Sequence, residues 1–407
     1  MDLIFRNART TDHAEPVDIA VNGGRIAAIE PDLAAEGQEV DVAGRLVAPG
    51  LVETHIHLDK SRILERCRPE TERKSTSMIR VSEVKHSFTR EDVYARASET
   101  LEACIVNGAS HMRTHVELDP KVELRSFEAI KRLAEDYRWA IDIEICVFAQ
   151  EGLTDNPGTD ELLVAALEDG ASLIGGAPSY DSDRAGQIDR VFELARHYDV
   201  DVDLHLDISH LTDAMDIHQV IELTERHGWG GRVAVGHMTT LSVLPPAELT
   251  ALAARLRDAG IAVTVLPATD LCVMGRHQDY AVIRGVAPAH ELVKHGVNCS
   301  LSTNNVLNPF TPYGDGSLVR MANLYANVCQ ASRREDLAEC FEMLTRRSAR
   351  LIGLHDYGLE VGAPADLVVF DGTSAADVVA RIAQPLMGFK RGRVSFTRQP
   401  AELHPPH

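Results

Sequence analysis

The stretch RVAVGHMTTLSVLPPAELTALAARLRDAGIAVTVL, Arg232–Leu266, holds one repeat of the chain's plan. A short apolar run, Arg232–Gly236, precedes a segment of helical periodicity, Pro246–Ala259, and a second apolar run follows at Ile261–Leu266. Runs this brief and this apolar read as strands buried on both faces, and an intervening helix makes them parallel. The pattern extends in both directions. Further runs at Leu46–Val52, His111–Val116, Ala140–Phe148, Ser172–Gly176, Val200–Leu206 and Val297–Leu301 complete a set of candidate strands. Asp160–Glu168, Gln187–His197 and Met215–His227 carry helical periodicity between them. Eight βα units over roughly 300 residues predict an α/β fold built as a (β/α)8 barrel. A doubly wound open sheet is the rival, but no Gly-x-Gly-x-x-Gly follows an early strand.

The ends of the chain read differently. Val17–Val21 and Arg25–Ile29 alternate around the turn signal Asn22–Gly23–Gly24. Ala365–Phe370 reads as a strand and Gly388–Phe396 as a hairpin, so the two termini are expected to pair into one small sheet domain. With 407 residues, 44% hydrophobic and 25% charged, the chain has the composition of a globular protein and not of a disordered one. A net charge of −20 opposes nucleic acid and anionic lipid as partners. No basic leader with an apolar run opens the chain, and no uninterrupted run of about 18 apolar residues occurs, so a cytoplasmic, non-membrane protein is expected. The seven cysteines lack paired spacing and read as reduced, mostly buried thiols.

Histidines gather at strand ends. His55–Ile56–His57 closes the first strand, and alternate residues on a strand face one side, so both rings can reach one metal ion. His205 and His237 close two later strands, and His115 closes the second. One such histidine is unremarkable, since a lone strand-end imidazole is usually a structural residue. Four strand ends that carry them at the same end of a parallel barrel read as a metal site, with nitrogen donors suited to zinc or iron.

The segment Val47–Lys60, with Glu53–Thr54–His55–Ile56–His57–Leu58–Asp59–Lys60 at its end, resembles the first-strand signature of the amidohydrolase superfamily. It is most similar to the branch holding cytosine deaminase and N-isopropylammelide isopropylaminohydrolase. Arg113–Val116, Phe148–Gly152, His205–Asp207, Gly236–Thr240 and Asp356–Val368 continue the likeness over nearly the whole chain. The resemblance implies a distorted barrel over 51–356 and a small β-sandwich from 1–50 and 357–407. It implies one divalent metal ion, zinc or iron first and manganese admissible, held by His55, His57 and His205. It places His237 beside the attacking water and Gln150 on the heterocycle. Lys60 is a candidate to hold a carbonyl or carboxylate of the substrate.

Two departures stand out. Asn304, in Ser302–Thr303–Asn304–Asn305–Val306–Leu307–Asn308, occupies the place of the family's metal-binding aspartate. An amide can offer its oxygen to a metal but cannot serve as a base. Four readings stay open: the base has moved to His237 or Asp207, the reaction needs none, the protein only binds, or the asparagine is engineered. Asn305 and Asn308 are amidated as well, which favours natural divergence. Ile208 stands where cytosine deaminase has a proton-donating glutamate, so cytosine is a poor expected substrate. Asp270, Arg276 and His277 are expected in a lid-like loop beyond the seventh strand, and Arg62–Lys74 in a charged loop after the first. The expectation is a metal-dependent hydrolase that cleaves a C–N bond of a small nitrogen heterocycle, with His237, Asn304 and Asp207 as catalytic candidates. Its rivals are a non-catalytic binding relative and a metal-assisted non-hydrolytic enzyme. A homo-oligomer stays open.

Overall fold

The computed structural model describes residues 1–70, 76–399 and 401–404. Strands β1 (Leu3–Ala8), β2 (Val17–Asn22), β3 (Arg25–Glu30) and β4 (Gln38–Asp41) form one sheet in the order β3-β2-β1-β4. A second sheet, ordered β16-β15-β14-β5, joins β5 (Val47–Pro49) to β14 (Leu367–Phe370), β15 (Pro385–Lys390) and β16 (Arg393–Thr397). The termini therefore meet, with Val47 opposite Val369 and Pro49 opposite Leu367. The small β-sandwich expected from the two termini is present, built of these two sheets. Each has an apolar face, and the faces share a core in which Phe5 meets Phe389 edge to face at 4.8 Å.

Between these pieces lie β6 (Leu51–Ile56), β7 (Ala109–Glu117), β8 (Asp142–Ala149), β9 (Leu173–Gly176), β10 (Asp201–Leu206), β11 (Val233–His237), β12 (Ile261–Val265) and β13 (Cys299–Leu301). They pair in parallel and in sequence order, with helices packed outside. The anticipated strand Leu46–Val52 is two strands. Gly50 separates them, and a Cβ there would lie 2.2 Å from the Ser110 hydroxyl, so the chain leaves the outer sheet for the barrel at the one residue without a side chain. The barrel closes between β6 and β13 through backbone bonds from His57 N to Asn304 O (2.8 Å) and from Asn304 N to His55 O (2.9 Å). Below them, the Thr54 hydroxyl meets those of Ser300 and Ser302 at 2.8 and 2.7 Å and satisfies polar groups at the short seam.

The helix at Pro246–Ala259 has the anticipated bounds, and those at Thr159–Glu168, Arg184–Tyr198 and Ile217–His227 lie within a few residues of theirs. Of the charged segment Arg62–Lys74, residues 62–70 fold around one 3-10 turn at Leu64–Arg66, and 71–74 lie outside the described residues. No helix of the described residues is long and apolar enough to cross a membrane. All seven cysteines are free, five of them buried.

Candidate active site

Because the strands run in parallel, the residues that end them collect at one mouth. His55 comes from β6 with His57 just past its end, His205 from β10 and His237 from β11, with Asn304 just past β13. The backbone turns sharply here. His237, Met238 and Asn304 all have positive φ, at 74°, 51° and 61°, a conformation few side chains other than asparagine accept readily. Gly236 clears the space beside them. A Cβ on it would stand 3.0 Å from a ring carbon of His55.

The Nε2 atoms of His55 and His57 lie 3.1 and 3.0 Å from Nε2 of His205. Three imidazole nitrogens turned on one point is the geometry of a ligand set. Burial, reinforced by neighbouring imidazoles and by Lys60, keeps the rings neutral. His55 is pushed down to about 3, and His57 and His205 lie well below the usual histidine range. Their lone pairs are thus free for a metal at neutral pH. The Asn304 carbonyl oxygen is buried without a hydrogen-bond partner, and its amide nitrogen stands 3.4 Å from Nε2 of His237. These converging donors, three nitrogens and one oxygen, fit a divalent ion.

A second layer holds the rings. Asp203 lies 3.7 Å from Nδ1 of His55 and 3.3 Å from Nε2 of His115, while its other oxygen accepts from Arg113 at 2.8 Å. Burial alone would raise its pKa, but His115, His55 and Arg113 outweigh it and hold the carboxyl ionised. His115, expected among the metal histidines, stacks on His55 with ring centroids 3.8 Å apart and lies behind it, outside the cavity. Asp203 went unnoticed in the sequence, although Asp203-x-His205 alternates as His55-x-His57 does.

Asp207 does not enter the cavity. Its two oxygens accept from the backbone N–H groups of Asp216 and Ile217 at 2.9 and 3.1 Å, at the start of the helix Ile217–His227. That placement spends it on free N–H groups at a helix start, away from the cavity in which a catalytic carboxylate was expected. Asp270, expected in a loop, sits in the helix Pro267–Val273 and is fully buried. Its carboxylate bonds Nδ1 of His237 at 2.6 Å. Burial raises the Asp270 pKa against the pull of His237. Arg276 and His277 do follow in a loop. Arg276 pairs with Glu70, and His277 stacks on His210 at the rim, with centroids 5.0 Å apart.

The cavity above the histidines holds about 350 Å³, enough for a small heterocycle. Lys60 lies in its wall, only 1% exposed, and its ammonium donates to Glu117 at 3.1 Å and to the Gln150 carbonyl at 3.2 Å. Ile208 also faces the cavity. Phe148 stacks on His205 at 4.8 Å and lies 5.0 Å below the Lys60 ammonium.

Residues 89–396 match the model of a family described as the amidohydrolase family. The chain belongs to that family. It is 29% identical over 405 residues to N-isopropylammelide isopropyl amidohydrolase of Pseudomonas sp. (strain ADP), covering 97% of this chain and 96% of that enzyme. Pterin deaminase of Rhizobium rhizogenes is 27% identical over 384 residues, covering 93% and 87%. Among solved structures, 5-methylcytosine deaminase from Klebsiella pneumoniae, liganded with phosphonocytosine, superposes with a TM-score of 0.93 at 29% identity, over 99% of this chain and 100% of that one. This amidohydrolase is thus a hydrolase of carbon–nitrogen bonds whose relatives act on nitrogen heterocycles, and its family uses a divalent metal.

Proposed function

We propose that this amidohydrolase releases ammonia or an amine from a small nitrogen heterocycle, using one divalent ion held by His55, His57, His205 and the Asn304 oxygen. The observation that carries the reading is the convergence of those donors beside a second, separate pair, His237 and Asp270. Zinc and iron suit the three nitrogens and one neutral oxygen best, and manganese is accommodated. Bound there, the ion supplies Lewis-acid chemistry that lowers the pKa of a water toward about 7.

The chain's own residues do the rest. Asp270 accepts the Nδ1 proton of His237, which fixes the tautomer and leaves the Nε2 lone pair facing Asn304 and the cavity floor. His237 Nε2 takes the proton from the attacking water and returns it to the departing nitrogen, while the Asp270 carboxylate stabilises the imidazolium. An aspartate at position 304 would compete for that proton; the amide leaves it to His237. Lys60 and Gln150 hold the ring. Ile208 has no proton to give, and among the described residues lining the cavity there is no carboxyl to protonate a ring nitrogen, so cytosine is disfavoured.

The test is turnover of the metal-loaded protein on a panel of amino-substituted oxo-pyrimidines and triazines in ¹⁸O-labelled water. Hydrolysis places solvent oxygen in the product. The Asp270→Asn variant is expected to keep its metal and lose about 10²–10³ in kcat. Unlabelled product overturns hydrolysis. An inert native chain whose Asn304→Asp variant turns over identifies a binding-only site.

A further inference from the structure

The amide groups around the cavity are not free to choose their orientation. The Asn308 carbonyl accepts from the backbone N–H groups of Phe310 and Thr311 at 2.9 and 3.2 Å, so its NH2 must point the other way. That NH2 donates to the Asn305 carbonyl at 2.6 Å, which leaves the Asn305 NH2 for the cavity it lines. Across the cavity the Gln150 carbonyl is taken by the Lys60 ammonium, so Gln150 also offers its NH2. Lys60 spends two of its three N–H bonds on Glu117 and Gln150 and keeps the third. Three side chains around one space therefore present donors.

Charge follows the same pattern. Among the described residues lining the cavity there is one ammonium and no carboxylate. The acids that offset Lys60 stand behind it: Glu117, with Asp119 and Glu151, is gathered around Lys85 outside the cavity wall. A second hollow of about 520 Å³ shares Gly275 with the cavity and, among the described residues, is lined by Arg80, Arg276 and Arg284 against the single acid Glu70. The chain carries a net charge of −20. The candidate site is lined with the opposite sign, and a cleft of one sign in a low-dielectric wall concentrates ligands of the other.

We infer that the site selects an anionic ring bearing several carbonyl oxygens, such as a deprotonated cyclic imide, over neutral rings with fewer of them. Ring oxygens accept from Lys60, Gln150 and Asn305, and the ring's negative charge meets the ammonium. This rests on the cavity being the substrate site of the proposed hydrolase. It does not depend on turnover.

Binding to the metal-loaded protein at neutral pH tests it by calorimetry, with barbiturate as the anionic tri-oxo ring and uracil as its neutral di-oxo counterpart. Barbiturate is expected to bind at least ten-fold more tightly. Asn305→Asp, which keeps the Asn308 bond but turns a donor into a charged acceptor, is expected to remove at least ten-fold of that preference. Lys60→Met is expected to do the same. Equal binding of the two rings, tighter uracil, or no measurable barbiturate binding overturns the inference, as does an unchanged preference in an Asn305→Asp variant that retains its metal. Anion selectivity without turnover on any panel would sink the hydrolase reading alone, and turnover of a neutral aminopyrimidine by a protein that ignores barbiturate would sink the inference alone.

Discussion

The two ends of the barrel gather the same kinds of side chain and use them differently. At the foot, where β7 meets the outer sheet, His111, Asp142 and Asp366 come close enough to hold a cation. The Lys390 ammonium already fills that place, 2.7 Å from Asp366, 2.7 Å from Asp142 and 3.0 Å from the Ser110 carbonyl. Beside the mouth, Glu117, Asp119 and Glu151 form a similar group, and Lys85 fills it. At the mouth itself His55, His57 and His205 face one another, and the nearby Lys60 ammonium is directed to Glu117 and Gln150. Clustered ligand-type residues alone do not mark a metal site. What separates these clusters is whether the chain supplies the cation. Where it does, the acids are paired with an ammonium; where it does not, neutral imidazoles are left with lone pairs to donate.

The sharpest way to break this comparison is to remove one donor at the mouth. His205→Ala is expected to lower bound metal from about one equivalent to near zero and turnover by at least about 10³-fold, read by elemental analysis and amine release. Full metal content in that variant would place the ion elsewhere. The matching change at the foot is Lys390→Met. It leaves Asp366 and Asp142 with no ammonium between them, and breaking a buried pair costs about 3–5 kcal/mol. Asp142 is 37% exposed, which puts the expected loss at the low end of that range. Urea unfolding reads the loss, and metal content should not change. A foot variant that lost its metal would erase the distinction.

Much of this was legible in the chain. Strand alternation places His55 with His57, and parallel βα repeats put the residues ending β10 and β11 at one mouth, so those positions follow from local pattern. Lys60, Asp207 and Asp270 do not. Lys60 is buried only because Glu117, 57 residues away, meets its charge. Asp207 follows His205 by two residues, but the backbone turns to a φ of 49° there and sends its carboxylate to a helix start. Asp270 belongs to a seven-residue helix opened by Pro267, too short for periodicity to announce. The direction of each amide was also hidden, since it depends on backbone N–H groups contributed by a loop fold.

The smallest effect expected is also the one that tests the lysine-filled cluster beside the mouth. Burial would raise the Glu117 pKa, but Lys60 and Lys85 outweigh it and bring the carboxyl from an ordinary 4.5 down to about 2. Between those values the unfolded chain binds the extra proton and the fold does not, so stability from this group is complete above about 5 and is lost as pH falls toward 2. The full difference is on the order of 3 kcal/mol at about 1.4 kcal/mol per pKa unit. Asp59 and Asp207, both raised to about 6 by burial, act in the opposite sense at higher pH, so the wild-type curve alone does not isolate the group. Glu117→Gln removes the titration and keeps the shape. The difference in urea midpoint between wild type and variant should be constant from pH 5 to 7 and shrink steadily below 4.5. Curves that stay parallel down to pH 3 would mean that Glu117 is not held ionised by its two lysines, and the distinction between filled and open clusters would lose one of its cases.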